Sequence, residues 1–472
     1  MKNISRIVLA FVFSMGLTLC AAEERPNIVV FLCDDLGYGD LACYGNKTIQ
    51  TPNVDRLAAA GIRFTDFYST APVCSSSRAG FLTGRIPSRI GVYDWIPANH
   101  DMHLLPSETT FAAVLQKAGY DTMQSGKWHC NGKFNSREQP QPGDQGFDHW
   151  FATQNNAAPS HRNPTNFVRN GAEAGPLEGF SCQLVVGEAI DWLEQRSDKS
   201  RPFCLFIAFH EPHEPVASPP ELVEKYKVAG AVKPGEAEYY ANVENMDAAV
   251  GRLVDYLKRN GLWNNTLTLF SSDNGPETLD RYRGAERSHG SPGELRGMKL
   301  WMYEAGFRVA GIISWPDKIK PGQVSNVPVG AIDCFQTFCA VAKADLPADR
   351  IYDGANLLPL FEDGKFDRAK PLFWYYLNAL GAPRVALRDG DWKLVATLEG
   401  NLRPRGVGAH SAEWFAKLKT TNLDRFELYN LAADLQENRD LASTEPERLN
   451  DLKRKMEVLF REIQHGAPLW AK

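Results

Sequence analysis

The sequence predicts an α/β fold: a large, mostly parallel central sheet flanked by helices, with a smaller C-terminal domain of antiparallel sheet plus helix. Three observations predict it. Short β-branched and aromatic runs stop abruptly at polar residues, as in NIVVFLCDD, FCLFIAFHEPH and TLTLFSSDNG, and such runs fit strands buried on both faces. Helical patterns lie between them, which is the alternation of a doubly covered sheet. Beyond residue 365 the texture changes to KPLFWYYL and RVALRDGDWKLVA, the latter with Asp-Gly at its centre, which reads as a hairpin.

Taken in order, residues 1–22 read as a cleavable signal peptide. Lys2 and Arg6 precede an uninterrupted run over 7–19, and the small residues Cys20, Ala21 and Ala22 suit cleavage after Ala22. The run is too short to span a bilayer, so the expected location is secreted or periplasmic, with no transmembrane segment. Lipid attachment at Cys20 is the alternative, disfavoured by the bulky Leu19 before it. Residues 23–365 form the expected catalytic domain, with a first strand ending at Asp34 and Asp35 and helical patterns at 54–61, 109–119, 182–196 and 241–261. Two further strands end at His210 with His213, and at Asp273 with Asn274. Residues 366–472 form the C-terminal subdomain, closed by the amphipathic PERLNDLKRKMEVLFREIQ.

Composition narrows the function classes. Of 472 residues, 43% are hydrophobic and 23% charged, the balance of a folded globular protein. A formal charge of −5 leaves no basic surplus for a phosphate backbone, which excludes a nucleic-acid partner. Nine cysteines are too few for a disulfide scaffold, and Cys33 and Cys204 sit in apolar runs as small buried hydrophobes.

Ligands of open α/β sheets bind beyond the carboxyl ends of the strands, where three runs here place polar groups. Asp34, Asp35, Asp273 and Asn274 offer only oxygen donors, which suit Ca²⁺ or Mg²⁺ better than zinc. In FHEPHEP, Pro212 and Pro215 break any helix, so two histidines on one helical face are unavailable for a zinc site. A cation beside an anionic substrate would offset its charge.

The stretch CSSSRAGFLTGR resembles the signature of the formylglycine-dependent sulfatases (arylsulfatase and carbohydrate sulfatase type), within the alkaline-phosphatase-like superfamily. RPNIVVFLCDDLGYGDLACYG, TPNVDRLAAAGIRFTDFY, GYDTMQSGKWH, PHEP, SSDNG, LRGMKLWMYEAGFRVAGIISWP and ELYNLAADLQENRDLA are similar to the family's other blocks, in the same order. The resemblance implies that Cys74 is oxidised after translation to formylglycine (3-oxoalanine) by a formylglycine-generating or sulfatase-maturating enzyme. A hydrated aldehyde has two hydroxyls on one carbon: one attacks sulfur, and deprotonating the other releases sulfate. Ser75, Ser76 and Ser77 are expected to cap and start a helix whose amides favour an anion.

By the same resemblance Arg78 holds the hydrated aldehyde and faces the metal site, where the modified Cys74 joins Asp34, Asp35, Asp273 and Asn274. Lys127 and His129 contact the sulfate and the formylglycine hydroxyl, with His129 as base. His213 and Lys299 serve the sulfate and the leaving oxygen. His210 is a weaker candidate, and Arg85 is expected to be structural. The chain departs from the pattern at Ser76, where proline is commoner, at Met298, Leu300 and Trp301, which are usually smaller, and at Ala305 and Ala310, which replace glycine and proline. The implied activity is hydrolysis of sulfate esters. A sulfated carbohydrate is the expected substrate, because the amide-rich segment 153–171, with His161, Arg162 and Arg169, suits sugar hydroxyls and further sulfates. The alternative is a phosphonate monoester or phosphodiester hydrolase using the same groups.

Overall fold

The strand run beginning at Asn27 sends alternate side chains into two different cores, which is why it sits at the centre of the sheet. In the computed structural model, which describes residues 25–400, 402, 411–468 and 470, Ile28, Val30 and Leu32 pack in one cluster with Phe81, Phe111 and Phe338. Val29, Phe31 and Cys33 pack in the other with Val243, Val250 and Leu253. A period of two puts neighbours on opposite faces, so a run that is apolar throughout demands cover on both. The signal peptide expected at 1–22 lies outside the described residues.

The strands of the large sheet are β1 (Asn27–Asp34), β2 (Ile62–Tyr68), β3 (Asp121–Lys127), β4 (His149–Thr153), β5 (Val168–Arg169), β6 (Ala172–Glu173), β7 (Phe203–Pro212), β8 (Thr266–Ser272), β9 (Arg308–Ser314), β10 (Gln323–Ser325) and β11 (Val329–Gly330). Their spatial order is β10-β2-β9-β8-β1-β7-β3-β4-β5-β6, with β11 also on β2. The central strands β8, β1, β7, β3 and β4 run parallel, and β9 is antiparallel to both neighbours. Because Val30 lies opposite both Phe206 and Leu269, the parallel strands end together, and their carboxyl ends form one edge.

Helices α1 (Pro52–Ala59), α2 (Cys74–Thr83), α3 (Phe111–Lys117), α4 (Ser181–Gln195), α5 (Pro220–Val228), α6 (Glu236–Arg259), α7 (Glu304–Phe307) and α8 (Cys334–Val341) follow the strands. Residues of α1, α4 and α6 fill one core, and residues of α2, α3 and α8 fill the other. Two elements differ from expectation. Helix α6 begins at Glu236 rather than 241, because Glu236 and Glu238 in its first turn favour the positive end of the helix without adding an apolar signal. Strand β7 continues through His210 to Pro212, so His210 lies inside the strand and not beyond it.

The second sheet, β12 (Leu372–Ala379), β13 (Ala382–Asp389), β14 (Trp392–Leu398) and β15 (Leu423–Asn430), is antiparallel in that order. Gly390, at φ +59°, turns the expected β13/β14 hairpin, and the amphipathic closing helix spans Pro446–Gly466. The two sheets share a core: Trp374 of β12 stacks on Phe307 with ring centroids 4.2 Å apart. The eight cysteines among the described residues are all free, with Cys33 and Cys204 buried as expected. No helix among the described residues is long and apolar enough to cross a membrane.

Candidate active site

Helix α2 delivers Cys74. Val73 is extended at φ −152°, and the chain turns into helix with Cys74 as its first residue, its peptide amides pointing toward the sheet edge. The three serines do not cap it, contrary to expectation: Val73 holds the cap position and no side chain bonds there. All three are buried within the helix, and the first two pin it to the following loop. Ser75 Oγ accepts from the Ile96 amide at 2.9 Å, and Ser76 Oγ donates to the Asp94 carbonyl at 3.2 Å. One turn on, Arg78 is completely buried and spans two strand ends. Its Nε donates to Asp273 Oδ2 at 2.8 Å, and its Nη1 donates to the Lys127 carbonyl at 3.0 Å. Arg85 is structural, bonded to the Ile351 carbonyl and paired with Glu108.

The strand ends bring the predicted carboxylates together. Asp35, at φ +62°, accepts from Asn274 Nδ2 at 2.6 Å, and its amide reaches Asp273 Oδ1 at 3.3 Å. Each carboxylate has its own cation: Lys127 on Asp34, Lys299 on Asp35 at 2.7 Å, and Arg78 on Asp273. Burial pushes Asp35 up to about 6 against the pull of Lys299. Burial and the neighbouring Asp34 charge push Asp273 up to about 7. For Asp34 burial acts upward too, but Lys127 and other cations outweigh it and hold the carboxyl well below its usual range.

These donors fit a hard cation. Asp34 Oδ1 and Asn274 Oδ1 are buried with no hydrogen-bond partner, and a buried acceptor is costly unless something satisfies it. Asp34, Asp35 and His213 each offer a ligand atom within 4.8 Å of the others. Three carboxylates already matched by three cations would gain a net positive charge from a divalent ion, which suits an anionic substrate.

The histidines are held in defined tautomers. A carbonyl can only accept, so the 3.1 Å contact of His129 Nε2 with Ile96 O puts the proton on Nε2. Nδ1 is left as a buried lone pair without a partner. Burial, then the Lys127 and Arg78 charges, hold this imidazole far below its usual pKa, so it stays neutral. His213 bonds the Glu214 carbonyl through Nδ1 at 2.5 Å, which leaves Nε2 as an acceptor 3.5 Å from Asp35 Oδ2. Burial and the Lys299 charge lower it to about 3.

A cavity of about 410 Å³ opens at this edge. Of the sequence-predicted residues, Cys74, His129, His213 and Lys299 line it, whereas Arg78, Lys127, Asp34, Asp35, Asp273 and Asn274 lie behind the wall. His210 does not line it and instead bonds Thr153 Oγ1 at 2.8 Å. From the amide-rich segment Asn155 and Asn156 reach the cavity, but the charged residues do not. His161 is buried against Asn242, Arg169 is held by Glu188 in two 2.7 Å bonds, and Arg162 is exposed elsewhere. Val73 and Leu300 line it as well, and so do Trp95, Glu277, Arg281, Tyr282, Tyr376 and Asn378. These were not evident from sequence, because they stand singly in loops or inside a strand pattern that reads as core.

The sulfatase family profile matches residues 26–344, and the profile described as N-sulphoglucosamine sulphohydrolase, C-terminal, matches 297–400. The chain is 33% identical over 412 residues to N-acetylgalactosamine-6-sulfatase of Rattus norvegicus, covering 82% of this chain and 74% of that one. It is 32% identical to steryl-sulfatase of Rattus norvegicus, over 79% of this chain and 77% of the relative. The solved structure of Ps i-CgsB in complex with k-i-k-neocarrahexaose superposes with a TM-score of 0.79 at 27% identity, covering 94% of this chain and 95% of that one. The fold, the strand-end cluster and these matches agree: the chain belongs to the sulfatase family and is a sulfuric ester hydrolase of alkaline-phosphatase-like fold.

Proposed function

We propose that the chain removes sulfate from a sulfated carbohydrate, using formylglycine made from Cys74 and a divalent cation, Ca²⁺ before Mg²⁺, held by Asp34, Asp35, Asp273, Asn274 and the modified Cys74. It does so as an exported protein after loss of residues 1–22, with 23–365 as catalytic domain and 366–472 as closing subdomain. The observation that carries the proposal is the convergence on one cavity of Cys74, His129, His213 and Lys299 from four separate segments. The relative acting on N-acetylgalactosamine sulfate by its name, and the similar structure holding a carrahexaose, support a carbohydrate.

Burial raises the Cys74 thiol above its ordinary pKa, so the unmodified side chain is an uncharged, weak nucleophile at neutral pH. A hydrated aldehyde in its place supplies one hydroxyl to attack sulfur and a second to let the sulfate leave. A cation held by Asp34, Asp35, Asp273 and Asn274 would supply positive charge beside the sulfate. His129, neutral with its Nδ1 lone pair free, is the proton acceptor for the second hydroxyl. His213 presents an acceptor at Nε2, so it cannot donate to the leaving oxygen while neutral. That donation falls to Lys299, which Asp35 keeps charged although burial opposes it. Lys127 acts from behind the wall by holding Asp34 ionised, and Arg78 holds Asp273 and braces the end of β3.

Incubation with defined sulfated saccharides should release inorganic sulfate, stop on chelation and resume with Ca²⁺. D273A should lose bound Ca²⁺ and at least roughly a hundredfold in kcat. Hydrolysis confined to phosphonate or phosphate esters, or stoichiometric zinc with neither Ca²⁺ nor Mg²⁺, would contradict the reading.

A further inference from the structure

Lys299 and Arg281 are the only lysine or arginine side chains that line the cavity among the described residues. Lys299 belongs to the site just described. Arg281 arrives from the loop after β8, and its position is fixed. Nε and Nη2 donate to Glu277 Oε1 and Oε2 in two parallel bonds of 2.7 Å, and the Tyr282 ring lies 5.1 Å from the guanidinium carbon. Glu277 is itself anchored, with a side chain only 3% exposed and Lys299 Nζ 3.8 Å from its Oε2. This leaves Arg281 Nη1 without a hydrogen bond among the described residues, on a side chain 36% exposed. The rest of the lining, including Trp95, Asn155, Asn156 and Asn378, is uncharged.

A guanidinium tethered along one edge, with its remaining donor unpaired at the cavity, is preorganised for an anion. Arg281 Nη2 and Lys299 Nζ stand 2.7 and 3.8 Å from the same Glu277 Oε2, so the two cations are close neighbours on one wall, near enough to meet adjacent substituents of a sugar or groups on adjoining sugars. We propose that Arg281 reads a second anionic group on the substrate, a sulfate or a carboxylate close to the sulfate that is cleaved. Resting on the carbohydrate reading above, this narrows the substrate class to saccharides with at least two negative charges in proximity.

The test compares kcat/KM for three saccharides sharing one scissile sulfate: one with no other charge, one with a second sulfate on the same sugar, and one with a uronic carboxylate on the adjoining sugar. The wild-type protein should prefer one of the two dianions by roughly tenfold or more, mainly through KM, as a charge-assisted hydrogen bond supplies. The dianion preferred identifies the source of the charge. R281M should bring that ratio close to one, and R281K should retain only part of it. Each ratio is measured on a single preparation, so incomplete folding of a variant cancels. Equal use of all three by the wild type, or an unchanged ratio in R281M, overturns the inference while leaving the sulfatase reading intact. Failure to cleave any of the three overturns the carbohydrate reading, and the inference with it.

Discussion

At His129 the tautomer carries the chemistry as much as the residue type does. The Ile96 carbonyl fixes the proton on Nε2, and burial with two nearby cations keeps the ring neutral. H129A should therefore lower kcat by roughly a hundredfold or more with little change in KM, and should leave a rapid first release of alcohol followed by slow turnover. In the wild type, the acid limb of kcat should fall below the ordinary histidine range near 6.5, because His129 gains a proton only at lower pH. Normal turnover by H129A would move the base role to His213. At this scale the sequence was informative where a polar residue interrupted an apolar run, as at Asp34, Asp35, Asp273 and Asn274. The partners of those residues were hidden: nothing local ties Lys127 to Asp34 or Lys299 to Asp35, since each pair joins distant segments. Glu277 and Arg281 were invisible for the same reason, with the i,i+4 spacing of a helical pair in a segment that forms no helix.

Elements whose side chains bury on two faces were legible, because a parallel strand needs a continuous apolar run and β1, β7 and β8 have one. Helix α2 was legible only as a resemblance. CSSSRAGFLT has no amphipathic stripe, since all ten of its residues are buried and Ser75, Ser76 and Arg78 are satisfied by other segments. Strand β3 shows how closely an element must sit to place a functional residue. Gly126, at φ +105°, precedes Lys127, and a Cβ there would stand 1.9 Å from the Ala208 carbonyl oxygen of β7. G126A should cost about 2 to 4 kcal/mol, combining an unfavourable backbone conformation with a steric clash, and should displace Lys127 from Asp34. A lower Tm together with a fall in activity is the expected result. A variant with wild-type melting and turnover would show that β3 tolerates a shift away from β7.

Across the whole molecule, the small sheet is fastened to the large one by buried charge as well as by the shared aromatic core. Lys393 of β14 meets Glu304 at 2.9 Å and Glu437 at 2.8 Å, with all three side chains inaccessible, and Arg388 and Arg308 share Asp66. Removing one partner strands the others, so K393M should destabilise by about 3 to 5 kcal/mol, with both sheets melting in one transition. Burial alone would raise Glu304, but Lys393, Arg308 and Arg388 lower it to about 2 from an ordinary 4.5. Its folded value lies below its unfolded one, so its contribution is complete above pH 4.5 and is lost as pH falls toward 2. The hairpin and closing helix of this region were legible from Asp-Gly and the amphipathic period, but its role in completing the cavity was not. Tyr376 and Asn378 of β12 line the cavity and are held there by hydrogen bonds to Asp94, on the loop after α2, at 3.1 and 3.3 Å. The proposed mechanism depends above all on what residue 74 has become in the active protein. The decisive measurement is sulfate release by a series of preparations plotted against the fraction of molecules whose tryptic peptide ending at Arg78 is about 18 Da lighter than the thiol form, the change expected when an aldehyde oxygen replaces the thiol. Activity should rise in proportion to that fraction and vanish in C74A; full activity in protein that retains the thiol at Cys74 would contradict the account.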